Sequence, residues 1–211
     1  MIEIALTAVF MVIGYLLGTI PTGYLVARMR GVDIQKVGSG NIGATNVLRA
    51  VGIGPALIVA LFDPLKGILA VMLPLLMGAT PWMIALTGFA TVLGNNFNIF
   101  LRLRGGKGVA TSLGVFLAID PWITFLAAVL GIFTIAVGRF VSLGSLVGVL
   151  CVPLMLMATL TVPLPYLYLS FVLSLLILFR HRENIRRLTA GTERRLGTRA
   201  ISSLTDIETG T

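Results

Sequence analysis

Three polar stretches hold nearly all the residues of this 211-residue chain that could do chemistry: VGSGNIGATNVLR at 37–49, RGGKGVATSLG at 104–114 and RHRENIRRL at 180–188. In the first, Gly38, Gly40 and Gly43 free the backbone for turns and positive φ, so successive N–H groups can face one concavity and hold an anion. Ser39 or Asn41 is placed to cap a short helix running toward Arg49, whose planar guanidinium suits phosphate. The second stretch sets Lys107 among Gly105, Gly106 and Gly108, with hydroxyls following at Thr111 and Ser112. It is not a nucleotide P-loop: Leu101 stands where the first glycine is required, and Gly108 follows the lysine where Ser or Thr is needed.

The third stretch contains the one histidine, His181, between Arg180 and Arg182, with Glu183 next and Asn184 three residues on, on the same face of a helix. An imidazole with its ordinary pKa of about 6.5 suits proton transfer. A histidine among arginines serves equally well as a hydrogen-bonding strut. The acyltransferase dyad HxxxxD is absent, because Arg186 stands five residues after His181. No His/Cys/Asp/Glu cluster has metal-ligand spacing, so neither a metal nor a cofactor is expected. Glycine-rich loops, Arg, Lys and hydroxyls together are the chemistry of phosphate handling.

These stretches sit beside apolar runs long enough to cross a bilayer. With 57% hydrophobic and 11% charged residues and a mean hydropathy of +1.01, an ordinary soluble domain is excluded. A spanning helix needs roughly 17–25 apolar residues, and the sequence predicts seven: Ile4–Ala27, Ile53–Ala79, Trp82–Phe100, Val109–Ile119, Trp122–Val137, Leu143–Leu160 and Leu164–Phe179. The fourth is short. The opening MIEIALTAVFMVIGYLLG carries Glu3 where a signal peptide would be basic, and reads as a retained first helix.

The formal net charge of +8 does not point to nucleic acid, because of where it lies. With the N-terminus outside, Arg28, Arg30, Lys36, Arg49, Arg102, Arg104, Lys107, Arg139 and the seven arginines from Arg180 onward fall on one side, which the positive-inside rule makes cytoplasmic. There they orient the protein and face anionic membrane lipid. Joining 109–137 into one helix would put Arg139 and the tail outside, so a break at Asp120–Pro121 is expected. The fold class is therefore an all-α integral membrane protein of seven transmembrane helices, N-terminus outside and C-terminus cytoplasmic. Residues 1–196 read as one membrane domain, and 197–211 as a disordered tail. Asp63 and Lys66, three apart in the second run, are placed to pair. Cys151 has no partner for an internal disulfide and reads as a packing residue.

Taken together, GTIPTGYLVARMRGVDIQKVGSGNIGATNVLRAVG, LRLRGGKGVATSLG, RFVSLGSL and FRHRENIRRLTAGTERR closely resemble the bacterial acyl-phosphate:glycerol-3-phosphate acyltransferase family, from about residue 10 to 195. The resemblance implies a small seven-helix enzyme of the bacterial inner membrane with its site on the cytoplasmic face. It implies transfer of a fatty acyl group from acyl phosphate to the 1-hydroxyl of glycerol 3-phosphate, giving lysophosphatidic acid and phosphate without acyl-CoA or acyl carrier protein as donor. It carries functional roles onto Ser39 and Arg49, onto Lys107 with its glycines, onto Ser142, and onto His181, Glu183 and Asn184. The glycine-rich second motif is associated in the family with glycerol 3-phosphate. One departure stands out: in LGNNFNIF, Asn95 occupies the place where members typically read Gly-His, and Asn98 the place of a proline.

Acyl phosphate is an activated mixed anhydride, so the enzyme has mainly to hold two anions together and stabilise the developing oxyanion and departing phosphate. The proton of the attacking hydroxyl goes to His181 or to a substrate phosphate oxygen. The absence of a nucleophile–base pair favours the latter, with direct transfer rather than an acyl-enzyme at Ser39. The alternative from another class is a small channel or transporter for a phosphate-bearing solute. Polar groups gathered at one face, and two loops without symmetry, count against it. A CDP-alcohol phosphotransferase would need an aspartate cluster that this chain lacks.

Overall fold

The computed structural model describes residues 1–159 and 161–197, and its regular structure is all helical. In chain order the helices are α1 (Ile2–Gly18), α2 (Thr22–Arg28), α3 (Ala44–Ala50), α4 (Ile53–Leu76), α5 (Pro81–Asn96), α6 (Val109–Ile119), α7 (Pro121–Gly138), α8 (Val141–Thr159), α9 (Leu164–Arg180) and α10 (Arg182–Thr189), with a 3-10 turn at Ile99–Leu101. Among the described residues five helical segments are long and apolar enough to cross a membrane, or six if the bent pair α9–α10 counts as one. Residues 198–211, most of the expected tail, and Leu160, the last residue of the expected sixth run, lie outside the described residues.

The predicted runs and the helices agree closely, and their differences have local causes. The first run is broken at Pro21, which cannot donate a helical N–H, so α1 and α2 share one span. The third extends to Leu101 as one span, but its α-helix ends at Asn96 and a 3-10 turn finishes it, joined by Asn98: its Nδ2 donates to Thr19 O at 2.6 Å and its Oδ1 accepts from Phe100 N at 3.0 Å. The expected break at Asp120–Pro121 is present. Asp120 Oδ1 caps α7 by accepting from Ile123 N at 3.0 Å, and Pro121 fills the first helical position.

Large apolar side chains such as Leu61, Phe133, Leu154 and Leu175 point outward, as suits lipid. Two buried clusters hold the helices together. One joins α4 to α9 through residues including Val71, Val92, Val115, Leu156 and Leu173. The other, Ala27, Ile34, Ile42, Val47, Ala56, Val59 and Leu101, seats the 32–51 segment against α4 at one end. In lipid such packing depends on close backbone approach more than on expelling water. Gly114 of α6 shows this: a Cβ there would strike the Pro64 backbone of α4. The contact fixes the short α6, whose N-terminus opens into the site.

Candidate active site

A cavity of about 590 Å³ gathers all three polar stretches. Gly38, Ser39, Asn41, Gly43 and Arg49 face it from the first, Gly106, Lys107, Gly108, Thr111 and Ser112 from the second, and His181, Glu183 and Asn184 from the third, with Ser142 beside them. Two predicted residues, Gly40 and Gly105, do not line it and act on the backbone instead.

Residues 38–43 form a tight loop organised by Asn46, which is buried on α3. Its Oδ1 accepts from Ser39 N at 3.0 Å, and its Nδ2 donates to Val37 O and Asn41 O, both at 2.9 Å. Gly38 and Gly40 take the expected positive φ, 65° and 68°. Gly43 does not: at φ −73° and ψ 161° it is itself the N-cap of α3, without help from a Ser39 or Asn41 side chain. The amides of Ser39 and Gly40 also turn inward, to Asn46 Oδ1 and Val37 O. These two amides are therefore not free to face an anion.

Free amides come from α6. Its first amides have no intrahelical acceptor, and Val109, Ala110 and Thr111 line the cavity. The Thr111 and Ser112 hydroxyls, in residues only 1% and 3% exposed, have no protein partner among the described residues. An 11-residue helix with its positive end in a cavity has the electrostatics that favour an anion there. The preceding loop is clamped from both sides. Gly105 N and Gly106 N donate to Asn96 O and Asn95 O, and Arg180 donates to Gly105 O and Gly106 O at 3.1 and 2.8 Å.

Lys107 projects from this clamp and donates to Asn184 Oδ1. Burial lowers its ammonium to about 8, with Glu193 opposing the shift and Arg187 adding to it. His181 is pushed down to about 4, by burial first and then by the Lys107 charge, so it is neutral at pH 7. Its Nδ1 lies 2.8 Å from Ile177 O, which can only accept. Nδ1 therefore carries the hydrogen, and Nε2 is left as an acceptor.

Several contributors were not singled out from sequence. Glu193 accepts from Ser142 Oγ (2.8 Å), Asn184 Nδ2 (2.6 Å) and Arg187 Nε (2.7 Å). Burial would raise its carboxyl, but these donors hold it below the ordinary range. The predicted carboxylate, Glu183, instead stands at the rim with a side chain 68% exposed, 4.0 Å from Arg187. It is the second residue of α10, and the helical turn aims Asn184 inward in its place. A lone acid in the arginine-rich run TERR was the available signal for Glu193. Residues 193–196 then cross the mouth: Arg49 donates to Arg194 O at 3.2 Å, and Leu196 N to Arg139 O at 2.6 Å. Arg49 is lowered by burial and by neighbouring Arg194, so its side of the cavity holds surplus positive charge.

The expected pair is present at the cavity wall, which Asp63 lines, with Lys66 Nζ 2.9 Å from Asp63 Oδ1. Lys66 also donates to Asn95 Oδ1 at 2.8 Å, so the position where the family commonly has histidine here completes the shell of a buried cation.

From this basin the cavity continues between α6, α7, α8 and α9 as an apolar arm past Phe116, Ala128, Ile132, Val149 and Leu173. A membrane-embedded fold whose cavity joins a cationic, hydrogen-bonding basin to an apolar arm defines an enzyme class that works on anionic, chain-bearing lipid. The comparisons say which. The family profile described as glycerol-3-phosphate acyltransferase matches residues 8–191. The chain is 50% identical over 190 residues to a glycerol-3-phosphate acyltransferase of Thermus thermophilus, covering 90% of this chain and 95% of that protein. It is 51% identical over 189 residues to glycerol-3-phosphate acyltransferase 1 of Deinococcus radiodurans, covering 89% and 94%. Crystal structures of PlsY (YgiH), an integral membrane glycerol 3-phosphate acyltransferase, superpose with TM-scores of 0.87 for a glycerol 3-phosphate form and 0.85 for a lysophosphatidic acid form. The first is 35% identical, covering 96% of this chain and 98% of that one, and the second 37%, covering 91% and 96%. The chain belongs to the glycerol-3-phosphate acyltransferase family, whose reaction serves phospholipid synthesis.

Proposed function

We propose that the protein transfers a fatty acyl group from acyl phosphate to the 1-hydroxyl of glycerol 3-phosphate, releasing 1-acyl-glycerol 3-phosphate (lysophosphatidic acid) and inorganic phosphate. The observation that carries this reading is the single cavity in which the basin and the apolar arm are continuous. Two groups of donors meet there. Arg49, with Ser39 and Asn41, forms one anion position; Lys107, Asn184 and the α6 amides form the other, with Ser142 beside them and its hydroxyl engaged by Glu193. Two phosphates held apart by these groups leave room between them for an acyl carbonyl. The substrate hydroxyl oxygen bonds to the carbonyl carbon, the carbon–oxygen bond to phosphate breaks, and the hydroxyl proton leaves on a phosphate oxygen. A His181 near 4 is too weak a base to take that proton near neutrality. Its free Nε2 serves by accepting a hydrogen bond from the hydroxyl and orienting it. Glu193 holds Ser142, Asn184 and Arg187 in place, while Glu183 stays at the rim.

Residues 1–196 act as one domain in the bacterial inner membrane, followed by a cytoplasmic tail. Counting α1–α2, α4, α5, α6, α7, α8 and α9 gives seven spans with the N-terminus outside and the site in the cytoplasm. The arginines and lysines of the loops support this arrangement. Cysteines placed at Thr80 and Thr192 in a Cys151→Ser background should label from opposite sides with an impermeant reagent. The deciding experiment for the reaction gives purified protein glycerol 3-phosphate with palmitoyl phosphate or palmitoyl-CoA, in chelator. Lysophosphatidic acid should form with the phosphate donor and not with the CoA ester. Comparable turnover with both would refute the assigned donor.

A further inference from the structure

The apolar arm has a definite depth, and its end is closed. Along α7 it is lined from Ile135 to Thr124, and along α8 from Val141 to Val152, while Ser170 of α9 reaches the same level. Each of the first two stretches holds twelve residues, eleven steps that advance about 16 Å at ~1.5 Å per residue. The Thr124 and Ser170 hydroxyls donate to Asp120 O and Leu167 O of their own helices, both at 2.7 Å. Each hydroxyl is thus satisfied locally and makes no demand on a ligand.

Beneath this level the protein is filled. Leu156 lies one turn beyond Val152 on the same face of α8, and Ile123 and Leu169 adjoin Thr124 and Ser170. All three are buried in the main cluster, 2%, 5% and 4% exposed, and none lines the cavity. The arm therefore ends on a packed layer.

We propose that this layer is a ruler for acyl-chain length, with Thr124, Val152 and Ser170 setting the deepest position a chain's methyl end can reach. The proposal rests on the reading of the cavity as the site of acyl transfer. An extended alkyl chain advances about 1.25 Å per carbon, the axial projection of a ~1.5 Å carbon–carbon bond, so about 13 carbons fill the arm. With the carbonyl carbon and its neighbour in the basin, the arm suits donors of about 14–16 carbons. Ala128 lies four residues above Thr124 on α7, so a larger side chain there raises the floor. Truncating Leu156 lowers it.

The test is a rate profile of purified protein with glycerol 3-phosphate and acyl phosphates of 12, 14, 16, 18 and 20 carbons. Wild type should peak at 14–16 carbons and fall beyond. Ala128→Leu should move the peak about four carbons shorter, and Ser170→Leu about two, while Leu156→Ala should extend it by up to about four, since one helical turn is ~5.4 Å. Ala128 is only partly buried, so the shortening arm of the test stands even where Leu156→Ala fails to fold. Equal proportional losses at every length, or a peak that stays in place in Ala128→Leu and Ser170→Leu, overturns the ruler; chains would then leave sideways into lipid. A wild type inactive at every length overturns the reading of the reaction itself, a result distinct from turnover with an unshifted profile.

Discussion

Residues 38–43 are organised from within by one side chain, Asn46, whereas residues 105–108 are clamped from outside by the end of α5 and by Arg180. The two loops have similar glycine-rich compositions and serve one cavity. They differ in the space left around them. A Cβ on Gly105 would strike the carbonyl oxygens of Asn95 and Asn96, and one on Gly106 would come within 2.8 Å of Asn95 Nδ2. A Cβ on Gly43 would meet nothing nearer than Asn41 Nδ2 at 3.6 Å. Glycine in the second loop is thus required mainly by close packing, with a positive φ added at Gly108 (85°), and in the first mainly by backbone angle at Gly38 and Gly40, where a Cβ on Gly40 would also come within 2.9 Å of Gln35 O. The cation-bearing loop is the rigid one, as befits the group that must be held at a fixed place.

The comparison breaks first, and with the largest expected effect, at Gly105. Gly105→Ala must push the loop off α5, at a cost of about 1–3 kcal/mol in stability. Displacing Lys107 by an ångström lowers kcat/KM about 100-fold or more. Enzyme kinetics alongside thermal unfolding in detergent checks both halves; an active, equally stable Gly105→Ala protein would show that the clamp is not what places Lys107.

Next is the charge itself. Lys107→Met removes a charge-assisted contact of about 1.5–3 kcal/mol, equivalent to roughly a 10–150-fold loss at ~1.4 kcal/mol per decade. The fold should be unchanged, since the Lys107 ammonium meets Asn184 and not an ion-pair partner. Near-full activity would reduce Lys107 to a residue that merely reaches toward the surface.

A third effect follows from the same burial. With Lys107 lowered to about 8, its charged form is present below that pH and is lost as pH rises through it. On the alkaline side kcat/KM should fall about tenfold per unit, the slope of losing one required proton. The limb of kcat should lie higher, because a bound phosphate favours the ammonium. Lys107→Arg should move the kcat/KM limb out of reach, as guanidinium stays charged. His181, near 4, should contribute no limb above pH 5. A limb that stays near 8 in Lys107→Arg would assign it to another group.

Much of this arrangement was legible in the residues. Helix ends followed from Asp120–Pro121 and Pro163, which fix where a backbone N–H can be spared, whereas the break at Pro21 lay unread inside an unbroken apolar run. The Asp63–Lys66 pair followed from spacing alone. What could not be read was direction. The membrane helices are apolar on all sides, so periodicity does not say that Ala128 and Val152 face a cavity while Phe133 and Leu154 face lipid. Asn46 looks from sequence like one more residue of a short helix, and its partners, the Ser39 amide and the Val37 and Asn41 carbonyls, become visible only when the chain has turned back on itself. Glu193 lies nine residues from Asn184 and 51 from Ser142, and only folding shows that all three share one hydrogen-bonded group.

The smallest effect is expected at Gly43, and it tests the comparison most sharply because the residue faces the cavity. Its φ of −73° is open to any L-residue, and the space beside it is free. Alanine is a poorer N-cap than glycine by up to about 1 kcal/mol, which for a chain of this size corresponds to a change in Tm of roughly 2–4 °C. Asn46 should still hold residues 38–41, since its side-chain bonds run to Ser39, Val37 and Asn41, and its one bond to Gly43 is from its backbone N–H to a carbonyl that alanine keeps. Gly43→Ala should therefore keep kcat/KM within about threefold of wild type. The matched pair Gly43→Ala and Gly105→Ala, assayed side by side, reads the contrast directly. A loss at Gly43 as large as that at Gly105 would mean that a substrate comes into contact with the first loop's backbone at this point, and that the loop is constrained by its ligand as tightly as the second is by α5.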